Sequence, residues 1–574
     1  MNNKKLQDIR THHEKFRQQI QAAGDLLRDR EMPELTEDLF SLYEKTGNRL
    51  IYENLYFERR RFLVVFGLLS IWYGREEDIH KLEEVMEVIC KEETWALPAH
   101  VDRTEPDWRR TVDLFASETG QTLANILYLT KGKLSADLSE RVKNMVIYRL
   151  LDSYMEKPKG QWRWENWENN WVAVCAGCLG SMALFLLEDR KEYQKRVIER
   201  VCQVLPNYLA GMYDDGTCPE GMSYFTYGMV FYTGFARQLC EHTNGAVNLM
   251  DSEKVRQIAR FQHKCYLPGG NTVSFSDGER ADHFRLGLTC YLAGQVEGVE
   301  IPDVSAAMEF ETDHCYRFMG NWQDDCWVTE YLEQAHETEH EETEWFTVLP
   351  DAQWAIWKCN GTGVAAKGGH NGESHNHNDV GSFLMSVDGD VFLTDLGCGE
   401  YTREYFRDST RYEILCNRSM GHSVPVVNGR EQQPGSEFAA EYFVSENPGQ
   451  VKLSFAGAYE QDPDWVLIRQ LTCDPDGTLV TVTDGVSGAG VESMTETLVT
   501  QKEPAVSEKC IVLNGVKGSV IITLSEHCGP ITVIPEVFHN HRGSDEEVWL
   551  IQFPVELQKQ QGQCIIQCKY EANV

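Results

Sequence analysis

From the N-terminus to about residue 330, apolar residues recur at three- and four-residue spacing. The stretches "DLFSLYEKTGNRLIYENLYFERRRFLVVF", "TVDLFASETGQTLANILYLT" and "LSERVKNMVIYRLLDSYM" carry this pattern, as does the long run that begins "AVCAGCLGSMALFLLEDRKEY". Gly, Pro and Asp stand in the breaks, as helix ends require. Many helices in series with irregular loops predict a helical toroid or solenoid. No fixed-period signature is present, which disfavours ankyrin- or TPR-type arrays. The longest apolar run, residues 62–73, is too short to span a bilayer and reads as a buried helix.

Beyond residue 346 the period becomes two. "GSFLMSVDGDVFLTDLG" alternates about Asp388-Gly389, a hairpin signal. "VKLSFAGAY", "WVLIRQLTC", "TLVTVTDGV", "SVIITLSE" and "VWLIQFPV" continue as short runs between turn residues, the pattern of an antiparallel sandwich. Between the two regimes lies "EQAHETEHEETEWF", read as a solvated linker or exposed hairpin. Its His336 and His340 lack the rest of a zincin motif. The expected organisation is a multidomain α and β chain: a helical domain over residues 1–335, then an antiparallel β-sandwich over 336–574. Ligand sites are common where two such domains meet.

A length of 574 residues also calls for at least two cores. The formal net charge of −35 excludes a general nucleic-acid or anionic-membrane binder, because the field of the whole protein repels polyanions. An acidic substrate then needs a locally basic or neutralising cleft. The opening "MNNKKLQDIRTHHEKF" has no apolar core of a secretory signal. Eighteen cysteines without a framework add to the expectation of reduced thiols in a cytoplasmic protein. The Cys175-Ala-Gly-Cys178 pair sits in a small, apolar helical stretch and reads as buried thiols.

One segment cannot build a core: "KGGHNGESHNHNDVGSF", residues 367–383. His375 and His377 stand two apart just before a strand predicted from Gly381, and the Asp-Gly turn returns Asp395 to about the level of Ser382. His422, in "NRSMGHSVPVVNG", opens a later β run. Imidazole and carboxylate are ordinary zinc ligands. His377, Asp395 and His422 are therefore a candidate set joining three neighbouring strands. Spacing alone leaves open three polar residues near turns, since this is no textual zinc motif.

Together, "GGHNGESHNHNDVGSF", "GDVFLTDLGCGEYTREYF" and "RYEILCNRSMGHSVPVVNG" resemble the sandwich half of the heparinase II/III-like polysaccharide lyases. In that family an H-x-H-x-D segment supplies a catalytic His followed by a zinc-binding His, and an Asp at a strand end and a later His complete the metal site. The resemblance implies a catalytic His375 and a single zinc, structural in role, on His377, Asp395 and His422. "WENNWVAVCAGCLGSMAL" resembles the family's Asn-bearing helix start, which makes Asn170 the contact to a substrate carboxylate. Trp171 stands where several relatives carry His. "DDGTCPEGMSYFTYG" resembles the segment whose Tyr is catalytic, here Tyr224. The fold implied is an N-terminal incomplete α/α toroid followed by an antiparallel β-sandwich.

The chemistry fits these residue types. A uronic acid carries a weakly acidic C5 proton beside its carboxylate. Removing that proton adds charge to the carboxylate, which must be neutralised. An amide and an imidazole can donate to it without adding negative charge. Tyr224 and His375 are the candidate acid and base, in an order that the sequence leaves open. A phenol of pKa ~10 needs positive neighbours to act as a base. Further candidates for the sugar site are His100, Trp171, Glu220, Tyr227, His370, Tyr405 or Tyr412, and Arg411 in a local basic stretch with Arg403, Arg407 and Arg418. The expected activity is β-elimination on a uronate-containing glycan, above all a glycosaminoglycan such as heparan sulfate, chondroitin or hyaluronan, leaving a 4,5-unsaturated end. A glycoside hydrolase on the same scaffold and a non-catalytic glycan-binding protein are the alternatives. No nucleic-acid or membrane partner is expected, and a homo-oligomer is compatible with the sequence.

Overall fold

The computed structural model describes residues 3–334 and 345–573. His336 and His340 lie outside the described residues. The chain divides into two compact units. One comprises Met1–Met212, Phe225–Ala259 and His283–His340; the other comprises Tyr213–Tyr224, Arg260–Asp282 and Glu341–Val574. Two short segments from within the helical half thus fold with the sandwich.

The first unit is helical. Asn3–Arg28 packs against both Leu50–Trp72 and Phe318–Gln334, so the first and last helices of the unit meet. Residues 62–70 of Leu50–Trp72 are buried, as the long apolar run predicts. Leu114–Leu129 starts where the Asp113 carboxylate accepts from Ala116 N (2.8 Å), and Asn170–Leu186 starts where Asn169 accepts from Trp171 N (3.1 Å). These caps satisfy amides that the first helical turn leaves without partners. Cys175 and Cys178 are buried in Asn170–Leu186, and burial pushes both thiols well above their usual range. Among the described residues no helix is long and apolar enough to cross a membrane.

The second unit is built from antiparallel sheets. The largest runs, in order, Ala505–Ser507, Cys510–Asn514, Gly518–Leu524, Gln561–Ala572, Leu479–Gly488, Trp465–Cys473, Gln450–Ser454 and Tyr442–Val444. Trp465–Cys473 and Leu479–Gly488 alternate buried and open positions, which is the period-two signal of a sheet with one face on the core. A five-stranded sheet orders Phe346–Leu349, Trp354–Cys359, Thr362–Lys367, Phe383–Val387 and Asp390–Leu393. Thr362–Lys367 and Phe383–Val387 are buried along their whole length, so both faces of this sheet are covered there. The expected hairpin forms at Asp388 (φ +49°) and Gly389 (φ +94°), left-handed positions that suit a tight two-residue turn. A bulge between Met385 and Ser386 then shifts the register, so Leu393 faces Met385, one place off the unbroken hairpin.

Arg469 ties this unit together. Its side chain is fully buried, grips Asp484 at 2.7 and 2.8 Å, and reaches Glu496 at 3.1 Å. It also donates to Gly381 O (2.7 Å) and Ser423 O (2.6 Å). Those carbonyls lie near the end of the His-rich segment and just after His422, so one guanidinium anchors both loops.

Candidate active site

The three asparagines of the His-rich segment act as staples. Asn371 donates to Gln432 and Gln433 (3.1 and 2.9 Å), Asn376 to Asn371 O (2.7 Å) and Asn378 to Gln432 O (3.3 Å). Held this way, the loop places His375 at φ +57°, a left-handed conformation costly for a residue with a side chain.

At the centre stands Asp277, a residue that the sequence reading did not single out. Its side chain is fully buried. One oxygen, Oδ2, accepts from His375 Nδ1 (2.6 Å) and the Tyr401 hydroxyl (2.8 Å); the other, Oδ1, accepts from His377 Nε2 (3.1 Å) and the Tyr405 hydroxyl. Burial pushes its pKa up, but the His375 and His377 donors outweigh this and hold the carboxyl well below its ordinary range. Tyr224 lies over His375, with ring centroids 4.4 Å apart at 27°, and its hydroxyl meets that of Tyr401 at 2.5 Å. Burial first, and the Asp277 charge second, push the Tyr224 phenol well above 10. It is therefore a protonated group. Glu220 brings a carboxylate oxygen to 3.6 Å from His375 Nε2.

Of the other candidates in this unit, Tyr405 is buried on Asp277, and Tyr412 donates to Asn376 Oδ1 (3.0 Å). Arg411 is turned inward, donating to Tyr405 O (3.0 Å) and Asn376 O (2.8 Å), with its guanidinium over the Tyr405 ring. His370 accepts from Gly372 N and lies 3.5 Å from the Tyr213 hydroxyl. In the helical unit, Asn170 is buried at the start of its helix. His100 pairs with Asp113 (2.7 Å) and meets the Trp171 ring edge-on at 4.9 Å. Tyr227 donates to Glu118, beneath the Arg317 guanidinium at 4.2 Å from its ring.

The metal candidates are fully buried. Ligand atoms of His377, Asp379 and His422 lie within 4.8 Å of one another. Among the described residues, His377 Nδ1 and Asp379 Oδ2 have no hydrogen-bond partner, and burial lowers the pKa of His377, keeping the ring neutral. Two orphaned buried acceptors beside a second imidazole suit a cation. Asp395 bonds His422 Nδ1 (3.0 Å), while His422 Nε2 meets Cys416 O (2.8 Å). Asp379 also accepts from the buried Lys367 ammonium (2.8 Å). Sequence reasoning missed Asp379 although it closes the very H-x-H-x-D segment. It missed Tyr401 by weighing only the later tyrosines of the same loop. The Ser-Asp-Gly turn holding Asp277 carried no local signal.

Residues 342–554 match the family profile described as Heparinase II/III-like, C-terminal. Comparison with curated proteins gives no match. Among solved structures, heparinase III aligns with a TM-score of 0.64 at 12% identity, over 100% of this chain and 93% of that one. The heparan sulfate lyase HepC of Pedobacter heparinus aligns at 0.59 and 11% identity, over 97% and 87%. The chondroitin AC lyase of Streptomyces coelicolor A3, solved with chondroitin sulphate, aligns at 0.54 and 10%, over 99% and 80%. Identities this low speak for fold: a helical toroid region followed by an antiparallel-sheet domain. Residues 342–554 are thus similar to the C-terminal domain of the heparinase II/III-like proteins.

Proposed function

We propose that the protein is a polysaccharide or oligosaccharide lyase that cleaves a uronate-containing glycan by β-elimination. The observation that carries this reading is the pairing of a protonated phenol, Tyr224, with an imidazole, His375, whose Nδ1–H is committed to a buried carboxylate. His375 Nε2 takes the C5 proton. The electron pair moves into the C4–C5 bond, the C4–O bond breaks, and Tyr224 gives its proton to the departing oxygen. General acid–base transfer of this kind contributes about 10²–10⁴-fold. Asn170 keeps the role its motif implies, an amide donor to the sugar carboxylate as charge builds there.

A zinc ion, taken by His377 and His422 with Asp379 or Asp395, would supply a fixed charge that orders the segment carrying His375. His377 and Asp379 would hold it, and the chain between His377 and His375 would pass that order on. A hydrolase needs two carboxylates free to act on the bond. Asp277 has all its acceptor capacity taken by four donors, which disfavours it as one of the pair.

The substrates we propose are glycosaminoglycans of the heparan sulfate, chondroitin or hyaluronan type; heparan sulfate and chondroitin sulphate are the ones named for structural neighbours. We place the protein in the cytoplasm, a reading supported by its eighteen free thiols. Incubation with a panel of heparan, chondroitin, hyaluronan and alginate oligosaccharides tests the reading. An ultraviolet-absorbing unsaturated product is expected from wild type, with Tyr224→Phe and His375→Ala losing turnover and keeping binding. Intact function in both variants would sink it.

A further inference from the structure

We propose that Asp277 is a positioning residue of this site: its two oxygens set the tautomer and ring orientation of His375 and, through Tyr401, the direction of the Tyr224 hydroxyl. The inference rests on the elimination reading and extends it to a residue that touches neither substrate nor reacting atoms. An ionised carboxylate only accepts hydrogen bonds. Every group against it must donate. His375 therefore carries a proton on Nδ1, which makes Nε2 the atom that exchanges a proton with substrate. The Tyr401 hydroxyl spends its single proton on Asp277 at 2.8 Å, so across the 2.5 Å contact with Tyr224 it accepts and Tyr224 donates. One buried charge thereby fixes the protons of both rings.

The backbone is built around this carboxylate. Ser276 (φ +59°), next to Asp277, and His375 (φ +57°) both occupy the left-handed region, which persists only where surrounding contacts over-determine it. Gly278 O accepts from Cys398 N (3.2 Å), and a Cβ on Gly397 would lie 2.0 Å from Gly278 O. The turn of Asp277 and the segment leading to Tyr401 are thus locked together, and only glycine at position 397 permits the approach. Through Oδ1 the same carboxylate takes the Nε2–H of His377, leaving Nδ1 for a cation. Asp277 joins the candidate metal centre to the candidate base.

The test uses the full-length protein. Asp277→Asn puts an amide donor where His375 Nδ1–H and Tyr401 O–H now donate. The expected result is a kcat lower by roughly 10²–10⁴-fold, with KM changed less than about threefold and metal content unchanged. In a His375→Ala background the same substitution costs less than about threefold, because residues acting as a unit are not additive. A kcat within about tenfold of wild type overturns the proposal, as does an equal loss in the His375→Ala background. Loss of metal in parallel with kcat also overturns it, because the effect then runs through His377. Imidazole nitrogen NMR on wild type decides independently of turnover: an Nδ1–H His375 supports Asp277, and an Nε2–H tautomer refutes it. That readout separates the proposal from the lyase reading, which alone falls if no uronate glycan is cleaved. Should Asp277→Asn fail to fold, Tyr401→Phe removes a single donor. It is expected to lower kcat at least about tenfold with KM held, and wild-type rates would refute the Tyr401 arm.

Discussion

Replacing Arg469 with Met tests how the sandwich holds the two loops of the site. The guanidinium makes five close contacts: two to Asp484, and one each to Glu496, Gly381 O and Ser423 O. Burial and the Asp484 charge raise Glu496 well above its usual pKa, so Arg469 and Asp484 form the net ion pair. Removing one partner of a buried pair costs about 3–5 kcal/mol. Two carbonyls left without donors add about 1–3 kcal/mol each. The sum, roughly 5–11 kcal/mol, is comparable to the whole stability of a domain. Arg469→Met should therefore leave this unit unfolded or marginal in a denaturant titration followed by tryptophan fluorescence. Asp484 is the register partner of Arg469 across the sheet. The double variant Arg469→Met with Asp484→Leu should recover about 3 kcal/mol or more, because no uncompensated charge remains. A single variant within about 1 kcal/mol of wild type, or a double variant no better than the single, would refute the reasoning.

Other predictions follow from single groups. Burial, only partly offset by Arg317, raises Glu118 to about 7, so from pH ~4.5 to ~7 the folded chain keeps a proton that the unfolded chain gives up. Stability should fall across that window by about 3 kcal/mol, and Glu118→Gln should abolish the slope; an unchanged slope in the variant contradicts the assignment. Elemental analysis should find about one zinc per chain, lost in His377→Ala and on chelation, with a lower unfolding midpoint in both; a metal-free wild type of equal stability contradicts the cluster's assignment.

Much of the fold was legible because hydrophobic period reports local structure directly. The three- and four-residue spacing gave the helices, the two-residue spacing gave the strands, and Asp388-Gly389 gave a hairpin correct in all but one register step. Which unit a segment joins is a tertiary choice that periodicity does not encode. Tyr213–Tyr224 and Arg260–Asp282 sit among helices in sequence and fold with the sandwich in space. Asp277 was illegible for that reason: an Asp before Gly reads as a turn until the chain brings two imidazoles and two phenols to it. Asp379 was legible in principle, since it lies two residues beyond His377, and its partner Lys367 opens the same segment. The asparagines of the His-rich segment are structural, because a glycine-rich loop without a core needs amides to hold it.

The most direct test of the account is the fate of the cleaved bond in water labelled with heavy oxygen. β-Elimination breaks the C4–O bond without adding water, so both product ends should be free of label and one should carry a new double bond. Uptake of one labelled oxygen per cleavage, with no unsaturated product, would mean hydrolysis, and the roles given to Tyr224 and His375 would be contradicted.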